Sequence, residues 1–440
     1  MTMKIRAVLA LLLFLACASA ARAQANFTNY VAVGDSLTAG YMSGSLVETR
    51  QAHSYPALIA RQAGVSGFQQ PLVSEPGIPA ELVLMSLSPI IVIAPKSTSQ
   101  GVPLNLSLSR PYNNLGVPGA TSVNCLSTTS GGFHDLVLRG LGTAVQQAVA
   151  SKPTYITLWI GNNDVLGAAV SGQAVDGVTL VPAATFRAVY TQIVSALKAT
   201  GAPMVAANLP DVTSIPFVTT IPPVVVNPAT RQPVLVNGQP VALIGPTGPL
   251  SPGSYVTLNA TSLLAQGVGI PTALGGQGTA LPDSVILDPG EIATIRDRVA
   301  TNNRAIAEIA AAAAVPVLDV NAILAEIGTT GRDLGGFTLT NRFLTGGMFS
   351  YDGVHLSELG YAVLANEWIG VINQHGGALT PVDLTPFFFG ATSVSPQGGR
   401  TGSLANRRAL PTSGAAGPAF EFTEEAADNL RAIFPPLDLR

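Results

Sequence analysis

The stretch VAVGDSLTAGY, Val31 to Tyr41, couples a short apolar run to Gly34-Asp35-Ser36-Leu37. A run apolar at every position is what a strand buried on both faces looks like, and glycine, aspartate and serine are residues of tight turns. The stretch therefore reads as a strand ending in a sharp turn that leads into a helix. Open α/β sheets place their ligands at the carboxyl ends of such strands, which makes Ser36 a candidate nucleophile as well as a turn residue.

The same pattern recurs along the chain. YITLWI, Tyr155–Ile160, follows a helix-like run at Gly142–Ala150, and Met204–Ala207 follows another at Thr185–Thr200. VPVLDV, Val315–Val320, follows the Ala-rich run Pro289–Ala314, where Asp288-Pro289 supplies an N-cap with proline at the first helical position. Apolar strands alternating with helices predict an α/β fold, a three-layer α/β/α sandwich around a mainly parallel sheet. Two Pro/Gly-rich stretches break the rhythm, near 67–110 and 215–287. They are expected as insertions, because the strand pattern resumes after each. The second contains PVLVNGQPVALI, Pro233 to Ile244, whose Asn237-Gly238 predicts a type I′ hairpin.

The chain has 440 residues, 47% of them hydrophobic and 11% charged, with a net charge of −3. That balance, without a Lys/Arg cluster, carries no electrostatic footprint for a nucleic acid. Lys4 and Arg6, the apolar run Ala7 to Ala18 and Ala21-Arg22-Ala23 read as a cleavable export signal over residues 1–23, with cleavage before Gln24. A secreted or periplasmic protein is expected, its main domain spanning 24–390. The tail 391–440 is Ser/Gly/Pro/Ala-rich, with a short helix expected after Thr423. With the leader removed only Cys125 remains, so no internal disulfide can form. No metal-ligand spacing occurs, and neither metal nor cofactor is expected.

Three further blocks carry chemistry. LWIGNNDVLG, Leu158 to Gly167, ends an apolar strand in Gly161-Asn162-Asn163-Asp164, and an asparagine amide can donate to an oxyanion without titrating. In SYDGVHLSELGYAVLAN, Ser350 to Asn366, Asp352 lies three residues before His355, close enough for the carboxylate to orient the imidazole. NNLGVPGATS, Asn113 to Ser122, offers glycines that let backbone N–H groups approach a ligand. Of the other histidines, His134 beside Asp135 points away from it on a helix, and His375 is expected in a helix C-cap.

Taken in sequence order, VAVGDSLTAGY, NNLGVPGATS, WIGNNDV and YDGVHLSELGY resemble the GDSL, or SGNH, family of serine ester hydrolases. The resemblance covers roughly Asn26 to Gly376 and implies an SGNH, flavodoxin-like sheet. It implies Ser36 as nucleophile, His355 as base and Asp352 as its orienting acid. The oxyanion donors it implies are Gly119, Asn163 and the Ser36 N–H. Gly116 is the alternative to Gly119 should the loop register differ, and Asn163 is preferred to Asn162 because the block reads Gly-x-Asn-Asp. Asp35 and Asp164 are expected to bond turn amides.

A secreted ester hydrolase of lipase or esterase type follows as the expected function, acting on a small-molecule or lipid-like ester and touching lipid surfaces transiently. Aromatic residues are 6% of the chain and tryptophans number two, so platforms for sugar rings are scarce. The second insertion, rich in Val, Ile, Leu and Pro, is expected to form a substrate-facing flap, which favours hydrophobic acyl or alkyl/aryl esters. The rival readings are a carbohydrate O-deacetylase, an envelope acyltransferase and a non-catalytic exported binding protein.

Overall fold

The computed structural model describes residues 25–86 and 92–388. The expected export signal and the tail with its expected helix lie outside the described residues. The central sheet has five parallel strands: β1 (Tyr30–Gly34), β2 (Asn114–Gly116), β3 (Tyr155–Trp159), β4 (Met204–Ala207) and β5 (Val317–Leu318). Their spatial order is β2-β1-β3-β4-β5. The chain thus winds outward one way from β1 to β2, then the other way through β3, β4 and β5. That order has its switch point at β1 and β3, where doubly wound sheets bind their ligands.

Side chains of a strand alternate between faces, and here both faces are covered. Val31, Val33, Leu115, Ile156, Leu158 and Ala206 enter one core. It is closed by α3 (Ser122–Ser127), α4 (Phe133–Leu138), α5 (Ala144–Ala150), α6 (Asn163–Ser171), α7 (Ala183–Lys198) and α8 (Pro289–Ala312). Tyr30, Ala32, Tyr155, Trp159, Val205 and Ala207 enter the other, under α2 (Tyr55–Gln62), α9 (Val320–Thr329) and α10 (Glu358–Gln374). The α/β/α sandwich expected from the sequence is the fold observed. Helix α8 begins as read: Asp288 caps it, and the Asp288 and Glu291 side chains satisfy each other's backbone N–H groups.

The first insertion forms an antiparallel ribbon, Leu82–Ser86 with Val92–Pro95. Arg50 ties this region to α10 by bridging Glu81 and Glu358, both at 2.7 Å. The second insertion has its own small core, built on Val225, Leu243, Val256, Leu281 and Ile286. Its hairpin turns at Asn237 and Gly238 with φ of 51° and 77°, the two positive values a type I′ turn requires. Leu235 and Val236 on that hairpin are more than half exposed. The base of the insertion packs against the loop before α10: Phe217 N–H donates to the Gly353 carbonyl at 2.9 Å. Among the described residues no helix is long and apolar enough to cross a membrane.

Candidate active site

The register of the sheet brings the candidate residues together. Gly34 is paired with Gly116 of β2 on one side and with Trp159 of β3 on the other, so three strands end at one level. The turn after each supplies one block. Asp35 caps the four-residue helix α1 (Ser36–Ala39) by accepting from Leu37 N–H at 3.0 Å, and Gly40 ends it in the left-handed conformation. Gly34 has to be glycine: a Cβ there would lie 2.1 Å from Thr38 Oγ1 and 2.4 Å from the Trp159 carbonyl. The helix can therefore turn back hard against the strand, and Ser36 is left at its first position, 6% exposed.

Ser36 Oγ lies 2.9 Å from His355 Nε2, and His355 Nδ1 lies 2.8 Å from Asp352 Oδ2. Both oxygens of Asp352 are further bonded: Oδ2 accepts from Gly44 N–H at 2.8 Å, Oδ1 from Val354 N–H at 2.9 Å and His355 N–H at 2.8 Å. Burial by itself would raise this carboxyl, but the adjacent imidazole and the N–H donors outweigh it and hold Asp352 at about 2. It is an anion throughout the working range. The Tyr41 ring packs on the imidazole with centroids 4.7 Å apart, and Ser43 N–H donates to Ser350 Oγ at 2.9 Å. The segment after α1 thus braces the loop that carries the acid and the base. Tyr41 and Gly44 were missed in the sequence; only their closeness to the first block hinted at them.

Gly119 is exposed, with φ of 80° and no atom within 4 Å of where a Cβ would stand. Among the described residues neither its N–H nor that of Ser36 has a protein acceptor. Gly116, the alternative, is buried in β2, and its N–H is bound to Asn114 Oδ1 at 3.0 Å. The two asparagines also separate. Asn162 Nδ2 donates to Asp35 Oδ2 at 2.8 Å, deep in the protein. Asn163, half-buried at the start of α6, donates one amide hydrogen to the Ala120 carbonyl at 2.9 Å and keeps its second.

Asp35 and Asp164 are fully buried and bond turn amides, as expected. Asp164 accepts from Ser122 N–H at 2.7 Å and Ser122 Oγ at 2.5 Å, which ties the β3 turn to the β2 loop. Burial pushes both carboxyls up to about 6, against the pull of these bonds. Cys125 is buried beside them, its thiol pushed up to about 12 by burial and the two acids, so it is no nucleophile.

The remaining histidines stand apart from the serine. His53 Nδ1 lies 3.0 Å from Glu358 Oε1. His134 Nδ1 faces the Gly131 carbonyl, and Asp135 turns to Gly131 N–H, so the two neighbours form no pair. His375 is the C-cap of α10. A polar cleft of about 440 Å³, lined by Ala25 to Thr28, lies before β1, at the far end of that strand from Ser36.

The model of the GDSL-like lipase/acylhydrolase family matches residues 30–368. The chain belongs to this family. Membership places it among ester-hydrolysing enzymes in general. Solved structures similar to it include a lipase/acylhydrolase from Enterococcus faecalis, 14% identical over 80% of this chain and 98% of that one, with a TM-score of 0.33. An extracellular lipase from Streptomyces rimosus is 14% identical over 78% and 98%, with a TM-score of 0.33. A family 3 carbohydrate esterase from Clostridium thermocellum is 15% identical over 79% and 98%, with a TM-score of 0.31. A comparison with curated proteins gave no match.

Proposed function

We propose that this GDSL-family chain is an exported carboxylic ester hydrolase working through an acyl-serine intermediate, with hydrophobic esters preferred. The observation that carries the reading is the unbroken chain Ser36 Oγ, His355, Asp352, with contacts of 2.9 and 2.8 Å. Ser36 Oγ attacks the ester carbonyl while His355 Nε2 takes its proton, and the buried Asp352 anion holds the ring and stabilises the imidazolium. The developing oxyanion rests on the N–H groups of Ser36 and Gly119 and on the free amide hydrogen of Asn163. His355 then protonates the leaving alcohol. Water, deprotonated by the same nitrogen, releases the acid from Ser36.

Export rests on the Lys4-to-Ala23 leader pattern in the sequence. A deacetylase that stacks sugar rings on tryptophan is disfavoured, since Trp159 and Trp368 are both fully buried. The test is a serine-directed organophosphonate followed by mass spectrometry of the digest. One adduct is expected, on the peptide holding Ser36, and none in Ser36→Ala. An adduct on any other serine would overturn the assignment.

A further inference from the structure

An apolar groove of about 500 Å³ opens between the first insertion and α4. Its walls are Ile78, Pro79, Pro103 and Leu106 from the insertion and Phe133 and Leu136 from the helix. Among the described residues the single charge on its lining is Asp135, whose Oδ1 is turned to Gly131 N–H at 2.9 Å. Leu136, with Ile78 and Phe133, packs into one cluster with Ala39, the last residue of the helix that begins at Ser36. Two ring contacts link the Phe133 wall of the groove to the catalytic histidine. Phe133 meets the Tyr41 ring edge-on at 5.8 Å, and the other neighbour of that ring is His355, at 4.7 Å.

We propose that this groove binds the apolar alkyl or aryl part of the alcohol half of the ester. The inference rests on the hydrolase reading above and assigns a subsite within it. In the collapse of the tetrahedral intermediate His355 Nε2 delivers its proton to the leaving oxygen, so that oxygen sits at the imidazole. The oxyanion sits away from it, at Gly119 and Asn163. A groove whose Phe133 wall is joined to that imidazole through the Tyr41 ring is therefore assigned to the alcohol side of the ester. Its mainly apolar walls favour methylenes or an aromatic ring.

Two ester series separate the halves of the substrate: acetates of straight-chain alcohols from ethyl to octyl, and ethyl esters of acids over the same lengths. With the full chain, kcat/KM in the alcohol series should climb by up to about fourfold per methylene until the groove is filled. Leu106→Ser, at a half-exposed position, and Ile78→Thr should each cut the octyl-to-ethyl ratio by about tenfold. The ratio in the acid series should move much less. A loss confined to the acid series would place the acyl chain in the groove and overturn the proposal. So would an alcohol series that both variants leave unchanged while their thermal melts stay normal. If the unaltered protein cleaves no ester of either series, the hydrolase reading falls and the subsite falls with it; the other failures leave that reading standing.

Discussion

At the scale of the residue, two adjacent asparagines divide two tasks that their spacing alone did not assign. Asn162 donates to the buried Asp35 carboxylate, whereas Asn163 hangs from the Ala120 carbonyl with one hydrogen left for the substrate. Removing an oxyanion donor costs on the order of 10²–10³ in kcat, and that loss is expected of Asn163→Ala with little change in melting temperature. Asn162→Ala strips a fully buried carboxylate of its side-chain donor, an error worth about 1–3 kcal/mol of stability. It should lower the melting temperature first and kcat far less. Steady-state kinetics and a thermal melt on both variants check the division. The reverse ranking would move the oxyanion role one residue back.

At the scale of the element, the loop Ser350–His355 is held from two sides. The turn at Ser43 and Gly44 bonds Ser350 and Asp352, and the base of the second insertion presses on Gly353. A Cβ at Gly353 would stand 3.0 Å from both Phe217 N and Leu258 Cδ1, on a backbone with φ of 69°. Gly353→Ala should therefore push the loop off its seat. A displacement near 1 Å at a reacting group can cost about 10²-fold, so kcat should fall by about 10- to 100-fold for every ester alike, with the chain-length profile unchanged. A changed profile would instead make the second insertion a wall of the substrate site, the flap expected from its composition. The apolar groove lies on the first insertion and α4, not on that hairpin.

The elements differ in how legible they were. Strands β1, β3 and β4 match the apolar runs within a residue, because a strand buried on both faces has almost no polar position to blur it, Thr157 of β3 excepted. The run Val315–Val320 yields only Val317–Leu318, since Asp319 caps α9 and ends the strand early. Strand β2 was hidden: it is three residues long and holds Asn114, whose buried side chain donates to the Thr38 carbonyl and Gln70. The four blocks of the site are local in sequence and could be read there. The groove could not, because its walls come from 78–79, 103–106 and 132–136 and share no periodicity.

At the scale of the whole molecule, buried carboxyls set how the fold answers pH. Asp35 and Asp164, held at about 6, lie above the usual unfolded value of about 3.9. Between those values the native state binds the extra protons, so their contribution to stability falls as pH rises through that window and is restored on acidification. Asp352, held at about 2, acts the other way: its stabilisation is complete above about pH 4 and is lost toward about pH 2. The melting temperature should therefore rise as pH is lowered from about 7 to about 5, then drop in stronger acid. Asp164→Asn should flatten the first limb. Calorimetric scans across that range decide, and a melting temperature that falls steadily below neutrality would count against raised carboxyls.

Those same two acids have a consequence for exchange with deuterated water. Leu37 N–H, directly after the nucleophile, is closed onto Asp35, and Ser122 N–H, three residues after Gly119, onto Asp164. The first amides of a helix lack an intrahelical acceptor and ordinarily lose their protons through small local openings. Here the acceptor of each bond is a fully buried carboxyl at the start of the helix that follows β1 or β3, so freeing either proton means lifting that turn from the strands. These two first-turn amides should exchange with the slow strand amides of β1 and β3, and exposed Gly119, three residues before Ser122, should exchange at once. Mass spectrometry of peptic fragments over a time course would show the catalytic turns protected as part of the sheet.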